Sequence, residues 1–258
     1  AIRSSNQKGE PIPRPDWFEI VESQQWHSLK RIIKRIPQNM TDESNLPEPF
    51  KFLSPDIFRL TNIFYPYATE KMLDVARRNV RFVHYTTAET AMKIISSQEV
   101  WLRKSSVMND FSEIEYGFGC LDRAFKAQRD RFARLFDGMF PGFSDKLLER
   151  FNGWLPHFRT DTFIACFSEH DDTEDLYGRL SMWRAYGQPN GTALVINNGP
   201  FLRPTDALKA YTNPVAYLTP TQFDAEFDRL LVNIERDRDF VHRLEEDKVL
   251  NNIFAAFR

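Results

Sequence analysis

The sequence predicts an α+β protein, a small mixed β-sheet with substantial helical additions at both ends. Strand-like runs at 80–85, 162–168 and 192–196 mix with helical patterns without regular strand–helix–strand alternation, which argues against a doubly wound parallel sheet. Both flanks of these runs are charged and helical in pattern. The composition, 42% hydrophobic and 27% charged over 258 residues, suits a soluble globular protein with enough apolar side chain for a real core.

In chain order, residues 1–16 carry Gly9, Pro11, Pro13 and Pro15 and read as an extended lead-in. A helix is expected from Asp16, its N-cap, to Ile36. Leu29, Ile32, Ile33 and Ile36 form one face and Lys30, Arg31, Lys34 and Arg35 the opposite one. Such a basic amphipathic stretch can touch nucleic acid or an anionic membrane, but its plain role is a solvated helix covering a core. Residues 37–56, with Pro37, Pro47, Pro49 and Pro55, read as a linker-like crossing. A helix follows from Thr69 to Arg78. The pattern changes near Val80, so residues 1–79 are taken as an N-terminal extension and 80–258 as the main α+β domain.

Val80-Arg-Phe-Val-His-Tyr85 reads as a strand. Thr86 and Glu89 have capping-box spacing for a helix over 87–97, with Ala91, Ile94 and Ile95 on its apolar face. Val100-Trp101-Leu102 reads as a short strand and 105–110 as a loop. Residues 111–150 read as a long helical region broken between Gly138 and Ser144. Thr162–Ser168 reads as a buried strand, Glu169–Thr173 as an acidic turn, and Asp175–Tyr186 as a helix with Leu176, Leu180 and Trp183 on one stripe, ended by Gly187. A strand over 192–196, a weaker one over 214–218 and a charged helical region from Thr221 onward complete the chain.

Several function classes are excluded early. Lys+Arg number 34 and Asp+Glu 36, a net charge of −2, so no dominant polyanion-binding surface is expected, though a local one remains open. Glycine is scarce, 10 residues. There is no P-loop, no complete Rossmann fingerprint, no H-E-x-x-H and no G-x-S-x-G. No apolar run is long enough to span a bilayer, and residues 1–15 are too polar for a signal peptide. Cys120 and Cys166 give no disulfide framework, and Cys166 reads as a small buried core residue; a reducing cytoplasm is expected. The first residue is Ala, from which N-terminal processing or truncation is expected.

Three blocks carry candidate chemistry. His84-Tyr85-Thr86 puts an imidazole at a strand end beside a helix N-terminus, where free amides point outward; the plain reading is a backbone-satisfied histidine and a capping threonine. Asn109, Asp110 and Glu113 offer an amide and carboxylates in a loop, or simply a helix cap. Ser168, Trp183, Arg184 and Tyr186 form the third block, with Trp183 on the apolar stripe and Arg184 suited to a phosphate. The acidic cluster His170, Asp171, Asp172, Glu174 and Asp175 matches no defined metal loop and reads as an exposed turn.

In this order, His84-Tyr-Thr, Ile94-Ile95, Val100-Trp101-Leu102, Asn109-Asp110-x-x-Glu113, Cys166-Phe-Ser168 and Met182-Trp183-Arg-x-Tyr186-Gly187 resemble the DUF2971 family over about residues 80–220. That family is bacterial and linked to anti-phage defence, abortive infection or toxin action. The resemblance implies an ADP-ribosyltransferase-like fold and a transferase using NAD as substrate, with no metal. It also implies a macromolecular target, protein or nucleic acid, and a possible regulatory protein partner. Carried over, His84 holds the NAD ribose with Thr86 beside it, and Tyr186, or Tyr85, stacks on nicotinamide. Asn109, Asp110 and Glu113 line the pocket, with Ser168, Trp183 and Arg184 as further contacts. The family's late E-x-E-x-R-like block is missing before Ile253-Phe-Ala-Ala-Phe-Arg258. The resemblance then leaves Glu113 as substitute carboxylate, a carboxylate outside this chain, or binding without turnover; a recognition module and a metal-dependent nuclease are the rival readings.

Overall fold

The structure, a computed structural model, describes residues 47, 50–51, 53–107, 111–187, 190–202 and 210–257. The expected lead-in, the basic helix over 16–36, most of the 37–56 crossing, and Asn109 and Asp110 lie outside the described residues. The protein is α+β and mostly helical, with a three-stranded antiparallel sheet and a two-stranded one. Every described pairing is antiparallel, which corrects the expectation of a mixed sheet.

The chain divides into two compact units. The sheet unit gathers the described residues up to Phe58 with Lys71–Leu102 and Ala165–Asn213; the helical unit gathers those of Arg59–Glu70, Arg103–Ile164 and Pro214–Arg258. Two helices cross the division. The first, α1 (Pro55–Phe64), begins with Pro55 at its first position and Asp56 in its first turn, both favoured there. It begins at the last two residues of the stretch expected to be a crossing and runs on beyond it. The second, α2 (Pro66–Arg77), also starts on proline. It ends where Asn79 takes φ 50°, with Asn79 N–H on Ala76 O and Val80 N–H on Val75 O, a Schellman closure with asparagine in the usual glycine place.

In the sheet unit, β1 (Arg81–Thr87) lies between β4 (Ser168–His170) and β5 (Gly191–Ile196). The register pairs Val83 with Ser168 and Val195, and His84 with Leu194. Helix α3 (Ala88–Ser97) follows β1 directly, and its cap is Thr87, whose hydroxyl accepts from Thr90 N at 3.2 Å. The expected Thr86–Glu89 box is therefore displaced by one residue; β1 runs on through Thr86, and Glu89 instead pairs with Lys93. The unit's apolar core is small: Phe50, Leu73, Val75, Val80 and Leu202, flanked by Phe58 and Phe82.

In the helical unit, β2 (Arg103–Lys104) and β3 (Phe163–Ile164) form the minor sheet. The strand expected over 100–102 is displaced to β2, and Trp101 is 55% exposed. The run 162–168 divides between β3 and β4, which belong to different sheets. Its Cys166 is exposed, not a core residue. Helices α4 (Phe111–Asp137) and α5 (Phe143–Thr160) are the expected broken pair. Asp137 closes the break by accepting from Ser144 N at 2.8 Å. Beyond 211–219, which form no regular element, run α8 (Pro220–Arg236), α9 (Arg238–His242) and α10 (Glu246–Phe257). Helix α8 is fixed by a full capping box from Thr219 and Gln222. The core is aromatic: Phe132, Phe136 and Phe143 follow at ring spacings of 4.4 and 4.9 Å, with Leu147, Leu231, Ile234 and Ile253 fully buried. Each such side chain contributes about 1.5–3 kcal/mol relative to exposure.

The helix expected over 175–186 shortens to α6 (Leu180–Tyr186). A 3-10 turn covers Asp172–Glu174, and Gly178 at φ 63° lies between the two. The four-residue α7 (Gly199–Leu202) follows β5. The apolar stripe that suggested a longer helix is not buried: Leu176 is 84% and Leu180 63% exposed.

Candidate functional site

Side chains alternate across a strand, so β1 presents two different sets of chemistry. Phe82, His84 and Thr86 share one face, with Leu194 and Thr192 opposite them on β5. Arg81, Val83 and Tyr85 share the other, with His170 and Ser168 opposite on β4.

On the first face, the β4 ladder ends at Val83, and the Cys166 carbonyl lies 3.1 Å from His84 Nδ1. A carbonyl only accepts, so Nδ1 carries the proton and, in the neutral ring, Nε2 keeps its lone pair. Nε2 makes no hydrogen bond among the described residues. The imidazole leans on Phe167 at 5.2 Å, and Phe167, Phe201 and Phe82 continue the row at 5.0 and 4.7 Å. His84 is thus held in tautomer and orientation while one nitrogen stays available as an acceptor. Thr86 is half-buried on the same face.

On the second face, Tyr85 is buried; its hydroxyl accepts from Arg179 N at 2.8 Å and its ring meets Trp183 edge-on at 4.9 Å. Trp183 donates its indole N–H to Tyr177 O at 2.7 Å. A Cβ on Gly178 would lie 2.6 Å from Trp183 Nε1 and 3.0 Å from the Tyr85 hydroxyl, so this packing requires glycine both for space and for the positive φ. Tyr85 and Trp183 are therefore committed to holding α6 on the sheet. Ser168 shares their face. Arg184 is exposed, and Tyr186, at the end of α6, is 49% exposed. Glu113 is exposed in the first turn of α4, in the helical unit. Of the residues singled out from sequence, the sheet brings His84 and Thr86 together on one face and Tyr85, Ser168 and Trp183 on the other.

The acidic turn is an ion-pair network. His170, only 3% exposed at the side chain, lies with Nε2 2.8 Å from Asp175 and Nδ1 3.8 Å from Glu174. Arg81 bridges Asp172 and Asp175 at 2.6 and 2.8 Å, and Arg179 pairs with Glu174 at 2.9 Å. His170 first, then Arg81, hold the Asp175 carboxyl below the usual carboxylate range. Two hydrogen bonds from Thr173 do the same for Asp171. No group of three or more His, Cys, Asp or Glu side chains among the described residues is arranged to hold a metal ion.

Beside this network, where β1 begins and β5 ends, a cleft of about 600 Å³ is lined by Arg78, Asn79, Arg81, Asp172, Asp175, Asn197 and Asn198. Arg78 is itself held by Asp74 and Glu169 at 2.6 and 2.9 Å. Sequence reading missed this grouping. The runs Arg77-Arg78-Asn79 and Asn197-Asn198 were visible, but their meeting depends on the sheet register.

No family model, curated protein or solved structure matches the chain. Among the described residues, no helix is long and apolar enough to cross a membrane.

Proposed function

We propose that the chain is an NAD-dependent ADP-ribosyltransferase-like effector of anti-phage defence or toxin action, transferring ADP-ribose to a macromolecular target. The observation that carries this reading is His84. With Nδ1–H donated to the Cys166 carbonyl, Nε2 is presented as an acceptor for a ribose hydroxyl. Cleaving the bond between ribose and nicotinamide develops positive charge on the sugar, so an enzyme gains by holding the ribose rigidly and placing a carboxylate near it. In this reading His84 and Thr86, on one face of the sheet, hold the ribose, and it is the resemblance alone that assigns nicotinamide to Tyr186, which stands on α6 over the other face. Tyr85 and Trp183, being committed to α6, support the sheet and do not touch the nucleotide. Against the nuclease reading stand the ion pairs of Asp172, Asp175 and Glu174 with Arg81, His170 and Arg179.

A second reading, a non-catalytic recognition module binding a phage protein or nucleic acid, is favoured by one observation. Leu176, Tyr177 and Leu180, 84%, 83% and 63% exposed, crowd five residues of chain. One experiment separates the two. Labelled NAD is incubated with the protein and a cell lysate, and nicotinamide release and label transfer are followed. The transferase reading expects both, with His84→Ala lowering kcat/KM by about 5–30-fold, the loss of one or two kcal/mol of hydrogen bonding, and His84→Gln restoring part of it. Neither product, alongside a biological activity that His84→Ala leaves intact, selects the recognition module.

A further inference from the structure

In the helical unit, a groove of about 460 Å³ is lined by Arg131, Arg134, Leu135, Glu235 and Arg238. Its three guanidinium groups are not equivalent. Arg131 is spent: it forks onto Glu235 through Nε and Nη2 at 2.9 and 2.8 Å, and Nη1 reaches Asp228 and, at 2.9 Å, Gln128. The same fork uses both oxygens of Glu235, the one acidic side chain in the lining, and holds that carboxyl below its usual range, so it stays ionised and occupied.

Arg134 and Arg238 differ. Among the described residues neither meets a carboxylate in an ion pair. Arg238 makes only a long contact, 3.4 Å, to the Gly138 carbonyl. A Cβ on residue 138 would meet the Arg134 carbonyl oxygen at 2.7 Å and Arg238 Nη2 at 3.2 Å, so the two arginines approach the same glycine. Leu135, buried, gives the groove an apolar floor.

We infer that this groove is an anion site for a phosphate dianion, free or as the monoester of a small nucleotide, clamped between Arg134 and Arg238. A guanidinium offers paired N–H donors in a plane that matches two phosphate oxygens, and two of them balance the charge of about −2 that a phosphate monoester carries near neutral pH. The volume falls in the range of small-ligand sites. A net charge of −2 leaves room for a local anion site, and a pair of arginines without an ion pair among the described residues is one form it can take. This site is independent of His84 and of the NAD reading.

The test is calorimetric titration of the full chain with inorganic phosphate and with adenosine 5′-monophosphate, at low and at raised salt. Saturable binding is expected with both, weakened by salt. The double substitution Arg134→Gln with Arg238→Gln should weaken it at least ten-fold. Arg134→Lys with Arg238→Lys keeps the charge and fold and should retain part of the affinity. Equal affinity for the two ligands identifies a site for phosphate alone; tighter binding of the nucleotide places its nucleoside on Leu135. Arg129→Gln, an exposed arginine of α4 outside the lining, should change nothing. No saturable binding at millimolar ligand, or an equal loss from Arg129→Gln, overturns the inference.

Discussion

The two units are held together by different physics. In the helical unit, rings do the work: Phe132, Phe136 and Phe143 are fully buried in line, and aliphatic side chains of α8 and α10 pack around them. Burial of this kind is non-directional and tolerant of small adjustments. In the sheet unit the apolar core is slight, and order comes from directed bonds: His170 to Asp175, Arg81 to two aspartates, Arg179 to Glu174, and the Arg179 amide to Tyr85. Such bonds fix geometry more than they add stability, since exposed ion pairs contribute only about 0–1 kcal/mol each.

The contrast can be broken most strongly from the helical side. Phe136→Ala removes a fully buried ring from the middle of the row and should cost about 3–5 kcal/mol. Urea unfolding should show this as a lower midpoint. A loss below about 1 kcal/mol would mean that the core is far looser than the ring spacings imply.

In the sheet unit, Gly178→Ala strains the positive φ and drives a methyl into Trp183 Nε1. A cost of about 1–3 kcal/mol is expected. Unlike the Phe136 variant, it should perturb tryptophan fluorescence and Tyr85 resonances before the helical signal changes.

The third measurement sharpens the comparison through pH. The Asp175 carboxyl is held low in the folded protein, by His170 first and then Arg81. A depressed carboxylate stabilises above its unfolded value, near 3.9, and that stabilisation disappears as pH falls through the folded value. Protection of the amides over 171–179, measured against their intrinsic exchange at each pH, should therefore fall on acidification below about pH 4 while that of α8 persists; uniform loss across both units would erase the distinction.

Much of this architecture was legible in the sequence, for identifiable reasons. β1 and β5 are apolar, β-branched runs with turn residues at their ends, and the helices after Phe111 repeat apolar residues at helical spacing; both signals are local. Errors arose where a local signal was satisfied twice. Thr86 and Thr87 are both fit caps, and only the length of β1 chooses Thr87. Leu176, Leu180 and Trp183 keep helical spacing, yet Gly178 turns the chain before a helix of that length can form. Helix α1 was hidden because Pro55 punctuates a linker and starts a helix equally well. For the candidate site, His84 was expected at a strand end beside a helix N-terminus, but β1 runs on to Thr87 and places it mid-strand, where only the β4 ladder has ended. The placing of Tyr85 and Ser168 on the opposite face follows from strand period and register, and the register rests on β4, whose three residues carry no periodic signal.

The order of strands carries a consequence for how this chain comes into being. β1 is central, yet it is made first: synthesis passes Thr87 and must continue to Gly191, roughly 100 residues further, before β5 exists. At the usual pace of translation the nascent strand waits on the order of ten seconds, one edge bare until β4 is made and the other until β5. A ribosome stalled in that interval would release a chain exposing an unpartnered Phe82-Val-His-Tyr85, the kind of segment chaperones hold and proteases remove.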